Sequence, residues 1–246
     1  MTEDVCRRCG LCCLRGGPTL MVEDATLVAT GPLQLEQLVC LRTGEWARDD
    51  ARGLVRPLAA EMLKLAHWRT DASHQAHPWR CPCLEQGTGS TGGAFCTIYQ
   101  QRPVQCSLLS CMDTSPLQEC LATGKMLDRA GLLAALPAEV LPPQAAAVWQ
   151  ELAAAHEAAC PAGECLDLAA RLGYKPRGKH VVAGEEGSAD TAEIRTQLTE
   201  LVRLDAAWRE LSQSRAAVPA DVLPFLLGRP LTALLAEVGC HPARLP

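Results

Sequence analysis

Four thiols fall within eight residues in Cys6-Arg-Arg-Cys9-Gly-Leu-Cys12-Cys13. A Cys-x2-Cys pair can set two sulfurs on one metal, and such pairs recur in zinc and iron–sulfur sites. Structural zinc takes four ligands, and a cubane iron–sulfur cluster takes four cysteines. The N-terminal run therefore needs partners. Cys81, Cys83, Cys96, Cys106 and Cys111 are the candidates. Adjacent side chains diverge in extended backbone and stand about 100° apart on a helix. Cys12 and Cys13 are thus not expected to chelate one tetrahedral metal together. Seven to nine thiolates also exceed one four-ligand site. A polynuclear iron–sulfur assembly accounts for the count better than a single zinc.

Counting excludes several motifs. Position 16 is Gly, so neither a bacterial ferredoxin run nor a Cys-x3-Cys-x2-Cys triad can be completed from this segment. No Gly-x-Gly-x-x-Gly follows a candidate strand, and there is no His-Glu-x-x-His. His67, His74 and His77 precede Cys81 in a polar stretch that reads as loop rather than as a ligand set. Arg7, Arg8, Arg15 and Arg102 are placed in sequence to offset thiolate charge. Arg102-Pro103 reads first as a turn that aims Cys106 toward Cys96, because proline presets φ.

Four blocks occur in order: Cys6-x2-Cys9-x2-Cys12-Cys13, Cys81-Pro with Leu84, Cys96-Thr-Ile-Tyr99, and Arg102-Pro103-x2-Cys106. Together they resemble the YkgJ-type CxxCxxCC family, which is described as a zinc- or iron-chelating domain. The flagellin lysine-N-methylases carry a similar domain. The likeness spans residues 4–112. It implies metal binding by Cys6, Cys9, Cys12, Cys13, Cys81, Cys96 and Cys106. Departures fall at Cys83, at the Gly-rich loop 86–94, and at Ser107-Leu108 after the last block. Cys83 and Cys111 are accordingly further candidate ligands or free thiols. Cys160-Pro-Ala-Gly163 resembles an element that follows the cluster in some members, which adds Cys160 to the candidates.

The elements that must position these thiols are short near the N-terminus and long after it. Of 14 cysteines in 246 residues, 11 lie in the first 120, so the N-terminal half carries the thiol chemistry. A chain of this length buries an ordinary core without disulfides. The N-terminal half is rich in Gly and Pro, with short helices expected over 23–29 and 33–42. Residues 62–68 read equally as strand or helix. A helix is expected from Ser115-Pro116, with proline early in it. Ala and Leu dominate the second half, where helices are expected over 126–135, 143–158, 164–172 and 190–213. The predicted fold is mostly α. It has an irregular, metal-organised, cysteine-rich N-terminal region with little or no sheet, and a helical C-terminal half. The predicted domains are a cysteine-cluster unit over 1–125 and a helical extension packed on it over 126–246.

The net charge is −5 and neither half is basic, which argues against nucleic acid. No apolar run reaches the roughly 20 residues of a membrane helix, and the acidic N-terminus lacks the order of a signal peptide. A cytoplasmic protein is expected, where clustered cysteines more often hold metal than form disulfides. The reading favoured by the sequence is a metal-binding protein with an iron–sulfur cluster, or alternatively zinc, serving metal handling or redox. The resemblance leaves an enzymatic alternative, an S-adenosylmethionine-dependent protein-lysine methylase. A third reading is a structural zinc module that presents its helical half to a protein partner.

Overall fold

The computed structural model describes residues 9–49, 54–66, 68, 79–86, 93–175 and 191–240. Its helices are α1 (Leu11–Arg15), α2 (Ala25–Ala29), α3 (Val104–Leu108), α4 (Ser115–Thr123), α5 (Arg129–Ala135), α6 (Pro143–Ala159), α7 (Ala162–Arg171), α8 (Thr191–Ala216), α9 (Leu223–Leu226) and α10 (Leu231–Glu237). Its strands are β1 (Leu38–Leu41), β2 (Trp46–Asp49), β3 (Leu54–Pro57), β4 (Met62–Leu65), β5 (Leu84–Gln86) and β6 (Ala94–Cys96). The protein is therefore mostly helical. Among the described residues, sheet is confined to the two-stranded pairs β1–β4, β2–β3 and β5–β6.

One expectation about a short element changes, and one open reading is resolved. The helix expected over 33–42 is a single 3-10 turn, Leu35–Gln37, that runs into β1. All four residues of β1, Leu38-Val39-Cys40-Leu41, are buried. A fully buried apolar run carries no alternation, so periodicity does not separate it from helix. The ambiguous stretch beginning at Met62 is β4, which alternates between partly and fully buried residues.

The chain divides into two compact units. One comprises Met1–Val39 and Met62–Ala146; the other comprises Cys40–Glu61 and Ala147–Pro246. The expected boundary at 125/126 thus moves to 146/147, and an excursion from the N-terminal half joins the second unit. Physical reasons lie within that excursion. Glu45 is fully buried and receives two hydrogen bonds from Arg229, and Trp46 packs on the second unit's apolar core.

In the first unit, Leu20, Leu33, Leu38, Leu63, Leu127 and Leu132 are buried around the short elements. Leu20 N–H donates to the carbonyl of Leu63, and Leu127 N–H donates to that of Leu20, so backbone bonds join the segment before α2 to β4 and to the entry of α5. Asp128 caps α5 by accepting from Gly131 N–H at 2.6 Å. Gly17 is packed so closely on the carbonyl of Leu65 that a Cβ could not be accommodated there.

In the second unit, helices α7, α8 and α10 pack on one another. In α7 the buried residues Ala162, Cys165, Leu166 and Ala169 follow the i, i+3, i+4, i+7 pattern of one helical face. Leu231, Leu234, Leu235 and Val238 repeat it in and just after α10. Ile194 and Leu198 supply the facing stripe of α8. Among the described residues, no helix is long and apolar enough to cross a membrane.

Candidate metal centre

Each cysteine segment of the first unit is placed by backbone contacts. Cys12 and Cys13 ride on α1, which follows Gly10 in the left-handed region at φ 73°. A Cβ at Gly10 would lie 2.5 Å from Cβ of Ala94, so glycine there lets the N-terminal segment lie against β6. Cys81 N–H donates to the carbonyl of Cys13 at 2.8 Å, which fixes the second cysteine block to the first. The carbonyl of Cys83 accepts from Thr97 N–H at 2.9 Å, and Leu84 pairs with Cys96 across β5 and β6. Cys106 lies on α3. The buried carboxylate of Asp24 accepts from Val104 N–H at 2.9 Å at the start of that helix and from Met21 N–H at 2.8 Å. Gln105 accepts from Thr19 N–H at 3.1 Å.

Six thiols, Cys12, Cys13, Cys81, Cys83, Cys96 and Cys106, consequently lie within electrostatic range of one another. Cys12 and Cys13 have sulfurs 3.8 Å apart. The two adjacent side chains thus do not diverge as expected. Sulfurs held about 2.3 Å from a tetrahedral zinc are about 3.8 Å apart, so this pair matches the edge of such a site. Their hydrogen bond brings the Cys12 thiol down to about 6 and pushes the Cys13 thiol up. Cys81 and Cys83 form a second pair in which the hydrogen bond raises Cys81 and lowers Cys83.

Burial, reinforced by repulsion from neighbouring thiols, raises Cys96 and pushes Cys106 up to about 12. Arg102 works the other way on Cys96, in line with the charge-offset role expected of it. Its guanidinium also sits 4.3 Å from the centre of the Tyr99 ring and donates to the Tyr99 carbonyl at 3.1 Å. The turn before α3 is thereby pinned.

The other candidates fall elsewhere. Cys9 and Cys111 are exposed. Cys6, Arg7, Arg8, His67, His74 and His77 lie outside the described residues. Cys160 belongs to the second unit, where burial pushes its thiol up to about 11 and Asp205 and Arg42 act on it. Among the described residues, no three Cys, His, Asp or Glu side chains stand where they would hold one metal ion. The donor set is all sulfur, which suits soft or borderline metals. The six thiols gather as pairs and singles rather than as a closed quartet.

Sequence reasoning did not find Asp24 or Gln105, whose hydrogen-bond partners are at other points of the chain. It also gave no sign of the buried polar groups of the second unit. There His156 Nε2 and Asp205 Oδ1 are 2.8 Å apart. Arg209 donates to both Asp205 oxygens at 3.0 Å, and Leu231 N–H donates to Oδ2 at 3.0 Å.

Fold and site together define a mostly helical protein with a gathered thiol cluster in its first unit. No family model, no curated protein and no solved structure matches the chain.

Proposed function

We propose that this protein binds a metal through cysteine thiolates of its first unit, as an iron–sulfur cluster or alternatively as zinc, and serves in metal handling or redox. The observation that carries this reading is the convergence of six thiols from four separate stretches of chain. Thiols buried beside one another resist ionisation, as Cys106 does at about 12. A bound cation reverses that balance, since a coordinated thiol gives up its proton. Such a cluster therefore takes up metal with release of protons. Cys12, Cys13, Cys81, Cys83, Cys96 and Cys106 are the ligand set proposed, with Cys6 and Cys9 as further donors from the same N-terminal motif. Six to eight sulfurs favour a polynuclear centre over one four-ligand zinc.

The test is purification without oxygen, followed by absorption spectroscopy and analysis for iron, sulfide and zinc. A brown protein with charge-transfer bands, iron and acid-labile sulfide supports the iron–sulfur form. A colourless protein with stoichiometric zinc selects the alternative. A protein that retains neither, and takes up neither on anaerobic reconstitution, overturns the proposal.

A further inference from the structure

Five methionines occur in the chain, and three of them meet at one place in the first unit. Leu20 N–H donates to the carbonyl of Leu63 at 2.8 Å, Leu63 N–H to that of Leu127 at 3.0 Å, and Leu127 N–H to that of Leu20 at 2.9 Å. This closed ring of backbone bonds joins three short segments, and all three leucines are buried. Successive side chains of extended backbone point to opposite faces. The residues beside the leucines, Met21, Met62 and Met126, therefore emerge together on the other face. Met21 and Met126 are direct partners in an antiparallel bridge. Helix α3 covers that face with the side chain of Gln105. Its Oε1 accepts from Thr19 N–H at 3.1 Å, which fixes the orientation of the amide. Its Nε2 then donates to both thioethers, at 3.7 Å to Met21 Sδ and at 3.9 Å to Met126 Sδ. The hydroxyl of Thr19 donates to Met62 Sδ at 3.8 Å.

Methionines in a core are ordinarily gap-fillers. Here N–H and O–H donors are aimed at all three sulfurs, although a thioether is only a weak acceptor. Those donors argue against a soft metal ion at this place, because their positive ends would face the cation. What suits them is an oxygen on sulfur. An oxygen bonded to Met126 Sδ and turned toward Gln105 would stand about 2.9 Å from Nε2, the ordinary N–H···O distance. A sulfoxide disrupts a core because it is polar and chiral, but here its donor is already in place. Met21 is 1 % exposed, whereas Met126 is only half-buried. We propose that Met126 is a site of oxidation by hydrogen peroxide, and that Gln105 Nε2 holds the sulfoxide oxygen. The sulfur lone pair forms the S–O bond as the O–O bond breaks, and the second peroxide oxygen leaves as water. Sulfur loses two electrons and the peroxide gains them. Only one of the two sulfoxide epimers turns its oxygen toward Gln105, and the N–H that meets the product also meets the oxygen as it transfers. The site does not depend on the metal reading.

The experiment treats the full-length protein with dilute hydrogen peroxide and then restores its thiols with dithiothreitol. A peptide map by mass spectrometry reads each methionine. Portions of the digest are incubated with methionine sulfoxide reductase A or B, each of which reduces one epimer. Met112, at 68 % exposure, is the unbiased reference and should give both epimers equally. Met126 is expected to be oxidised while Met21 is spared. One epimer at Met126 should be in about fivefold excess, the ratio that a single hydrogen bond supports. Gln105→Glu keeps an acceptor for Thr19 N–H and removes both N–H donors, so the excess should vanish, with circular dichroism before oxidation reporting that the fold persists. A Met126 that stays reduced when Met112 is fully converted overturns the site. Equal epimers at Met126 in the parent protein overturn the role of Gln105, whether or not the variant folds. An excess that survives Gln105→Glu overturns it as well.

Discussion

The backbone amide of Cys81 donates to the carbonyl of Cys13 at 2.8 Å. This bond joins two cysteine blocks that are far apart in sequence, and it does so without any sulfur. Thr97 then holds Cys83, and the β5–β6 register sets Cys96 beside Leu84. The thiols are thus brought near one another by main-chain geometry as pairs and singles, and the proposed metal binding requires them to close further around the ion.

Replacing a thiol should therefore remove a ligand without dismantling the segment. Cys81→Ser keeps the amide that donates to Cys13 and loses only the sulfur. Metal content per chain is expected to fall at least about twofold, since loss of a ligand leaves an incomplete first coordination sphere. Cys120→Ser, on the partly exposed helix α4, is expected to leave metal content unchanged. Elemental analysis of both variants beside the parent protein checks this pair of outcomes.

The thiols of the metal-free protein should differ sharply in reactivity. Only the thiolate is alkylated at a useful rate. The hydrogen bond with Cys13 brings Cys12 down to about 6, whereas burial pushes Cys106 up to about 12. At pH 7.5 Cys12 is expected to react with iodoacetamide well before Cys106. The rate at Cys12 should fall as pH drops through about 6, where its thiolate is protonated. Cys13→Ala removes the donor, so the midpoint at Cys12 should move up toward an ordinary thiol. A timed peptide map by mass spectrometry, repeated across pH, reads each of these changes.

The long helices were legible because their signals are local. The expected 143–158 and 190–213 correspond to Pro143–Ala159 and Thr191–Ala216, and Ser115-Pro116 does open a helix. The Cys81, Cys96 and Cys106 blocks carry no periodicity; they stood beside Cys12 and Cys13 as candidates by resemblance alone, and the folded chain brings these thiols within electrostatic range. Cys83 was only a further candidate, because a single residue of separation from Cys81 does not reveal the strand start that aims it. The buried pairs were invisible for a simpler reason. Glu45 and Arg229 are 184 residues apart. Each alone reads as an ordinary surface charge, and only the folded chain makes them partners.

Glu45 is fully buried and accepts from Arg229 at 2.8 and 3.1 Å, and it also accepts from the amide of Arg42 at 3.0 Å. Removing one partner of a buried ion pair leaves an uncompensated charge, which costs about 3–5 kcal/mol. Glu45→Ala leaves the buried Arg229 guanidinium with the more exposed Glu237 and is expected to destabilise the second unit by up to about that much. Glu45→Gln keeps an acceptor for the amide and should cost less. Urea unfolding followed through Trp46, Trp149 and Trp208 fluorescence, with Trp68→Phe and Trp79→Phe as the background, measures both.

His156 and Asp205 predict how the second unit responds to acid. Burial, together with the charges of Arg42 and Arg209, lowers His156 despite its bond to Asp205, so the folded imidazole stays neutral below its ordinary value. Burial opposes ionisation of Asp205, but the His156 bond and the Arg209 guanidinium outweigh it and hold the carboxyl well below its usual range. Both groups bind a proton more readily in the unfolded chain than in the folded one. Stability must then rise with pH wherever either of them titrates in the unfolded chain. The His156 contribution is complete above about pH 6.5 and declines as pH falls from there; the Asp205 contribution is complete above about pH 3.9 and declines below it. Acid unfolding should therefore proceed in two stages, a shallow loss beginning near neutrality and a steeper one below about pH 4. His156→Asn is expected to flatten the first stage and leave the second. Asp205→Asn removes the charge and leaves one acceptor oxygen for His156, Arg209 and the Leu231 amide, so it should lower stability already at pH 7 by more than His156→Asn does. Urea midpoints of the three proteins at several pH values between neutrality and pH 3 decide the matter. A parent protein whose midpoint does not change between pH 7 and 5 would show that the imidazole is not held neutral in the fold.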